Sequence, residues 1–214
     1  MKSKKVFFLI ALLICTSGLY AQLGIKAGVN MANEIKSFSQ ADIDAGFYSN
    51  NLTGYQLGLV YQAMPKKSGL GFEIGAILSQ KGSTFHFDSI NVANTLKEGY
   101  KELNYLEVPL NIRYRLALGF IGIYGFGGVY GGYALSGKTV TETTNTTEIE
   151  TFQSFADRLD YGYNFGAGIE LFKKIQLGGT LSQGLKNTIS AITNLPQPTT
   201  ATNRVLSVNL VYLF

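Results

Sequence analysis

The 214-residue sequence has little of what builds an enzyme site or a soluble surface. It contains one cysteine, one histidine and no tryptophan, and 15 % of its residues are charged, against about 25 % in a typical soluble domain. His86 has no cysteine partners, and no nucleophile, base and orienting group occur together. Beyond the N-terminal segment no run approaches 18 consecutive apolar residues, so no transmembrane helix is expected. We therefore expect no enzyme activity, no metal site and no cofactor.

The N-terminus has the three parts of a secretory signal peptide. Three lysines precede a short apolar segment, residues 6–14, and small or neutral residues lead to Ala21. Residues 1–21 are predicted to be removed, leaving a mature domain of residues 22–214. A membrane anchor would need about 20 apolar residues, and a lipoprotein would need a small residue before Cys15, where an isoleucine stands. Without the signal, 15 basic residues face 14 acidic ones, so no nucleic-acid partner is expected.

Apolar and polar residues alternate in eight segments, which predicts β-strands with one apolar and one polar face. In the clearest segment, residues 104–116, every even-numbered position after Asn104 is apolar or aromatic. Its length fits the roughly nine to eleven residues that cross a membrane at a tilt. The other predicted strands cover about 23–33, 53–64, 70–84, 120–135, 160–172, 175–185 and 204–214. In the fifth strand glycine occurs at both parities, so its faces stay unassigned and a bulge is expected.

The connections between these strands alternate in length. They are long at 34–52, 85–102, 137–159 and 187–203, and short at 65–69, 117–119 and 173–174. This layout is typical of outer-membrane barrels, with short periplasmic turns and longer extracellular loops. The sequence therefore predicts an all-β protein, an eight-stranded antiparallel up-and-down transmembrane β-barrel.

A soluble secreted barrel or sandwich is the alternative fold. Such a protein usually covers its polar face with Lys, Glu and Arg, whereas the polar faces here are mainly Gly, Gln, Asn, Ser and Thr. The apolar faces of the seven assignable strands carry no charge except Arg204, and a charge facing lipid costs roughly 2 to 4 kcal/mol. Aromatic residues near the short turns fit an interfacial girdle: Tyr61, Phe72, Tyr114, Phe120, Tyr212 and Phe214. These features favour the membrane barrel.

The polar faces also carry a small set of charged residues that would point into the barrel. They are Lys26, Glu73, Lys81, Glu107, Arg113, Arg115 and Glu170. The glutamates could be read as paired carboxylates for acid–base chemistry. Because a buried charge needs a partner, and positive and negative charges here nearly balance, lumen ion pairs are the stronger prediction. Pro109 lies in the same strand and has no N–H to donate, so a bulge or a missing ladder bond is expected there.

Four segments resemble the outer-membrane β-barrel domain common in Bacteroidetes, often called the porin or PorT-like family. They are G-I-K-A-G-V-N, I-L-S-Q-K-G, L-N-Y-L-E-V-P-L-N-I-R-Y and R-V-L-S-V-N-L-V-Y-L-F, which occur in the family's order. The resemblance implies a barrel in the outer membrane, with its lipid as surroundings, and one branch is linked to type IX secretion and gliding. Leu210, Tyr212 and Phe214 resemble the signal that the barrel-assembly machinery recognises.

The expected function follows from this architecture. Eight strands enclose an interior just wide enough for side chains to fill. We therefore expect a plugged barrel with a structural or surface-interaction role and protein partners at its long extracellular loops. A narrow pore or transporter for small solutes is an alternative, and a barrel subunit of a secretion or motility assembly is another.

Overall fold

The computed structural model describes residues 19–37, 47–87, 98–141, 146–149, 155–186 and 200–214. The strands are β1 Leu19–Ser37, β2 Phe47–Pro65, β3 Gly69–Phe87, β4 Glu98–Leu118, β5 Ile121–Thr141, β6 Thr146–Ile149, β7 Leu159–Leu171, β8 Ile175–Gly184 and β9 Thr200–Leu213. One short helix, α1 (Phe155–Arg158), precedes β7. In the described part of the chain no helix is long and apolar enough to cross a membrane. The predicted signal peptide lies almost wholly outside the described residues.

The long strands form a closed barrel. Neighbours are antiparallel throughout, in the order β1, β2, β3, β4, β5, β7, β8 and β9, and β9 pairs back with β1. The short strand β6 pairs only with the outer end of β5 and stands outside this ring. The predicted eight-stranded up-and-down barrel is confirmed.

Strand length is where the sequence prediction was wrong. The strands β1 to β3 have 19 residues each, and β4 and β5 have 21. They continue into segments expected to be loops, and residues 138–141 and 146–149 form a hairpin inside the expected 137–159 loop. Threonine and valine in these segments favour strands. Few residues in these strand extensions are apolar. The extensions therefore lack the alternation of apolar and polar residues from which the strands were predicted.

Alternating burial gives each strand one lipid-facing and one lumen-facing side. On β4, Ile112 is 67 % exposed, while Asn111 and Arg113 on either side of it are buried. The exposed apolar stripe runs from Leu106 to Leu118, about 40 Å of strand at ~3.3 Å per residue. A tilt of about 40° reduces this length to roughly 30 Å along the barrel axis, which matches a bilayer core.

The structure also assigns the faces of β5. Its even-numbered residues between 122 and 132 face the lumen, and of the three aromatic ones Tyr124 and Tyr130 are buried and Phe126 is half-buried. The glycine-rich part pairs with β4 and β7 without interruption. The bulge lies at its loop-side end, where Asn104 pairs with Ser136 and Tyr105 with Ala134.

Pro109 interrupts the β3–β4 ladder without a bulge. The pairs pass from Ile74–Leu110 to Ile77–Glu107, and the register is the same on both sides. A missing N–H explains the gap. Gly75 makes room for the ring, since a Cβ there would lie 3.3 Å from Pro109 Cγ. Of the two outcomes expected at Pro109, the structure shows the missing bonds.

Candidate functional site

The lumen is the candidate site, because the polar faces of all eight barrel strands converge there. Lumen-facing glycines on β7 and β8 leave space for large side chains of β5, the strand that pairs with β7. A Cβ on Gly166 would lie 2.6 Å from the Phe126 ring, and a Cβ on Gly168 or Gly178 would overlap the Tyr124 hydroxyl. These glycines of β7 and β8 are therefore explained by the β5 rings that fill the barrel.

The first group of lumen residues lies near the short turns and is called the short-turn cluster. It consists of Gln62, Glu73, Asn111, Arg113, Arg115, Glu170 and Gln176. Arg113 forms an ion pair with Glu73, and Arg115 Nη1 lies 2.9 Å from Glu170 Oε1. Arg115 also donates to the Pro65 carbonyl. Both ion pairs are almost completely buried.

Amide side chains tie these ion pairs together across the lumen. Gln62 Nε2 donates to Glu73 Oε2 at 2.6 Å, and Gln176 Nε2 donates to Glu170 Oε2 at 2.8 Å. The two glutamines also bond each other, at 3.0 and 2.9 Å. They belong to β2 and β8, which are not neighbours in the wall. The cluster therefore bridges the interior.

A second group, the long-loop cluster, lies farther from the short turns. It consists of Lys81, Tyr105, Glu107, Tyr130, Asp160 and Asn203. Lys81, whose side chain is 1 % exposed, lies 2.5 Å from Glu107 Oε1 and 3.0 Å from Asp160 Oδ2. Asn203 Nδ2 donates to the same Asp160 oxygen at 3.1 Å. The residues come from β3, β4, β5, β7 and β9, so this cluster also bridges the lumen.

Aromatic rings from β5 cover one cation of each cluster. The Arg113 guanidinium lies 4.2 Å from the centre of the Tyr124 ring and 5.4 Å from that of Phe126. Lys81 Nζ lies 4.4 Å from the centre of the Tyr130 ring. Cations over aromatic faces gain about 0.5 to 2 kcal/mol each. These contacts explain why β5 turns aromatic residues inward.

The structure places the seven predicted charged residues in the lumen, although not all in ion pairs. Glu73, Lys81, Glu107, Arg113, Arg115 and Glu170 are paired as described. Lys26 is 8 % exposed, but within the described residues it makes no ion pair. Asp160 was missed because it stands at the start of its strand. The sequence could have revealed it, because Asp160 directly precedes the outward-facing Tyr161 and successive side chains of a strand point to opposite faces.

The remaining predicted positions lie elsewhere. His86 belongs to β3 rather than to a loop, and no group of three metal-ligating side chains occurs within the described ranges. Leu210 and Tyr212 point outward on β9, Phe214 directly after β9 is also exposed, and the rings of Tyr212 and Phe214 meet edge to face at 5.7 Å. On the same rim, Phe120 stacks on Phe172 with centroids 5.8 Å apart.

Comparison with known families decides the class of this barrel. Residues 14–190 match the family described as "Outer membrane protein beta-barrel domain". The chain belongs to that family. Its location is accordingly the cell outer membrane, and the apolar face of the barrel contacts lipid. No curated protein matches the chain.

Several solved structures are similar to the chain. OprG from Pseudomonas aeruginosa has a TM-score of 0.51 and 13 % identity, over 93 % of this chain and 98 % of that chain. Ail from Yersinia pestis has a TM-score of 0.44 and 13 % identity, over 91 % and 99 %. Neisserial surface protein A has a TM-score of 0.45 and 6 % identity, also over 91 % and 99 %. At such identity, the likeness to OprG shows the fold alone.

Proposed function

We propose that this outer-membrane barrel is closed by its own side chains and acts as a structural or surface-interaction protein. The observation that supports closure is the pair of clusters that bridge the lumen at two heights. Each joins cations and carboxylates from three strands, and a β5 ring covers one cation of each cluster. A lumen filled in this way leaves the rim with long connections as the surface for contacts, and protein partners there are part of the proposal.

Conductance in a planar bilayer tests the closed lumen. We expect the refolded wild-type barrel, verified by heat-modifiable mobility on a gel, to give no steady channel current. The reason is that both clusters cross the lumen with buried ion pairs, which a passing ion would have to separate. A preparation boiled before insertion serves as the control for contaminating channels. Large, steady currents from the folded form alone would overturn the proposal.

A narrow pore for small solutes is the second candidate. It is supported by the polar lining of the lumen and by a cavity of about 30 Å³ between the clusters. If the pore exists, replacing Arg113 and Arg115 by alanine should change its conductance at least severalfold, because both side chains block the short-turn end. Unchanged current in that double variant would count against a pore.

The finer family assignment adds a third candidate. The segment L-N-Y-L-E-V-P-L-N-I-R-Y supports a PorT-like relationship and hence a place in a secretion or motility assembly. A barrel that always purifies alone from native outer membrane would contradict it. We also infer cleavage after Ala21, recognition of the β9 terminus by the assembly machinery, and no catalytic activity. The N-terminal sequence of the mature protein tests the cleavage.

A further inference from the structure

The cavity of about 30 Å³ lies between the short-turn cluster and the long-loop cluster. Its lining includes Lys26 and Asn111 from one side and Phe126, Asn164 and Thr180 from the other. Both clusters contribute to its ends, through Asn111, Lys81 and Glu107. Any occupant would therefore be enclosed between the two closed layers.

Three polar groups of this lining have no partner among the described residues. Lys26 makes no hydrogen bond or ion pair there, although it is 8 % exposed. The amide oxygens of Asn111 and Asn164 are buried and accept no hydrogen bond. A buried polar group that is left without a hydrogen-bond partner destabilises the fold, and a buried charged group does so more strongly. Three such groups around one cavity point to an occupant that satisfies them together.

We infer that this cavity is a permanent hydration site, in which about two water molecules link the Lys26 ammonium to the Asn111 and Asn164 amide oxygens. A water needs roughly 10 to 15 Å³ of such volume and two to four polar partners. Lys26 supplies donors, the two amides supply acceptors, and the hydroxyls of Ser79 and Thr180 supply both.

Ions fit the same lining less well. An anion would pair with Lys26 but would leave both amide oxygens without a donor, and the carboxylates of Glu73 and Glu107 interact electrostatically with the same lysine. A metal cation would satisfy the amides but would face the Lys26 ammonium. Of these three occupants, only water can both accept from the lysine and donate to the amides. The donor and acceptor count therefore favours a neutral ligand.

This inference deepens the proposed closed lumen and rests on it, because the two clusters are what separate the cavity from bulk solvent. The two ideas can fail separately. Conductance reports whether the clusters close the barrel, whereas the experiments below report what lies beside Lys26.

Crystals of the wild-type protein soaked in bromide would identify the occupant. We expect water density within hydrogen-bond distance of Lys26 Nζ and no anomalous peak in the cavity. A bromide peak beside Lys26, or density for no occupant at all, would overturn the inference.

Variants show whether Lys26 holds the water. In detergent micelles, wild type and the exposed-turn control Lys67→Met should show water-to-protein cross-peaks at Phe126 and Thr180. Lys26→Met, which keeps the length but removes the donors, should lose them. Lys26→Gln should retain the cross-peaks because glutamine keeps a hydrogen-bond donor. This variant still tests the inference if Lys26→Met does not fold. Cross-peaks that persist in Lys26→Met, or that are absent from wild type, would contradict the inference.

Discussion

At the scale of single residues, Arg113 connects several parts of the lumen. It forms an ion pair with Glu73, donates to Gln176 Oε1 at 3.1 Å and lies under the Tyr124 ring. Its polar parity and charge were visible in the sequence, and so was the need for a carboxylate. Which of the three glutamates pairs with Arg113 was not visible, because pairing between neighbouring strands depends on their register, which alternation alone does not give.

Removing Arg113 should be costly, since Glu73 would keep a buried charge without its cation. We expect Arg113→Met to destabilise the barrel by about 3 to 5 kcal/mol, measured by urea unfolding in lipid vesicles. Adding Glu73→Gln should recover part of that loss. The control is Lys138→Met, whose pair with Glu102 is half exposed and should contribute less than about 1 kcal/mol. Equal losses in the two single variants would refute a special role for burial.

At the scale of strands, β5 shows where sequence alternation stops being informative. Glycine has no side chain to mark a face, and the inward Tyr124, Phe126 and Tyr130 break the rule that lumen residues are polar. Their place follows from the cations of β3 and β4, which no local pattern in β5 reveals. The other seven barrel strands were assigned correctly because their outward residues contact lipid and so must be apolar.

Adjacent glycines in β8 offer a direct test of the two faces. Gly178 faces the lumen, where a Cβ would overlap the Tyr124 hydroxyl and lie 2.9 Å from the Ala167 carbonyl. Gly179 faces lipid, and its nearest atom would be 3.8 Å away. We expect Gly178→Ala to cost about 1 to 3 kcal/mol by overpacking and Gly179→Ala to cost much less, both measured by urea unfolding.

Tyr124→Phe provides the second step of that test. Removing the hydroxyl relieves the main contact of the new methyl group, so Gly178→Ala should be better tolerated in the Tyr124→Phe background. If Gly178→Ala and Gly179→Ala lower the free energy of unfolding equally, the assignment of the β8 faces is wrong. If the phenylalanine brings no relief, the contact between Gly178 and Tyr124 is not the cause.

At the scale of the whole barrel, the two clusters lie one after the other along one lumen. Either cluster alone spans the interior, so loss of one should leave the other closed. This arrangement could not be foreseen from sequence, which gave a nearly balanced set of charges without Asp160 and without their division into two layers. It predicts a non-additive effect on conductance.

Alanine variants of each cluster, alone and combined, measure that effect. We expect Arg113→Ala with Arg115→Ala, and separately Lys81→Ala, to stay close to the wild-type current. The triple variant should conduct at least tenfold more than either, because only then are both layers opened. Heat-modifiable mobility must first show that each variant is folded. Steady current from Lys81→Ala alone would mean that the short-turn cluster does not close the barrel, and the clusters would then not act in series.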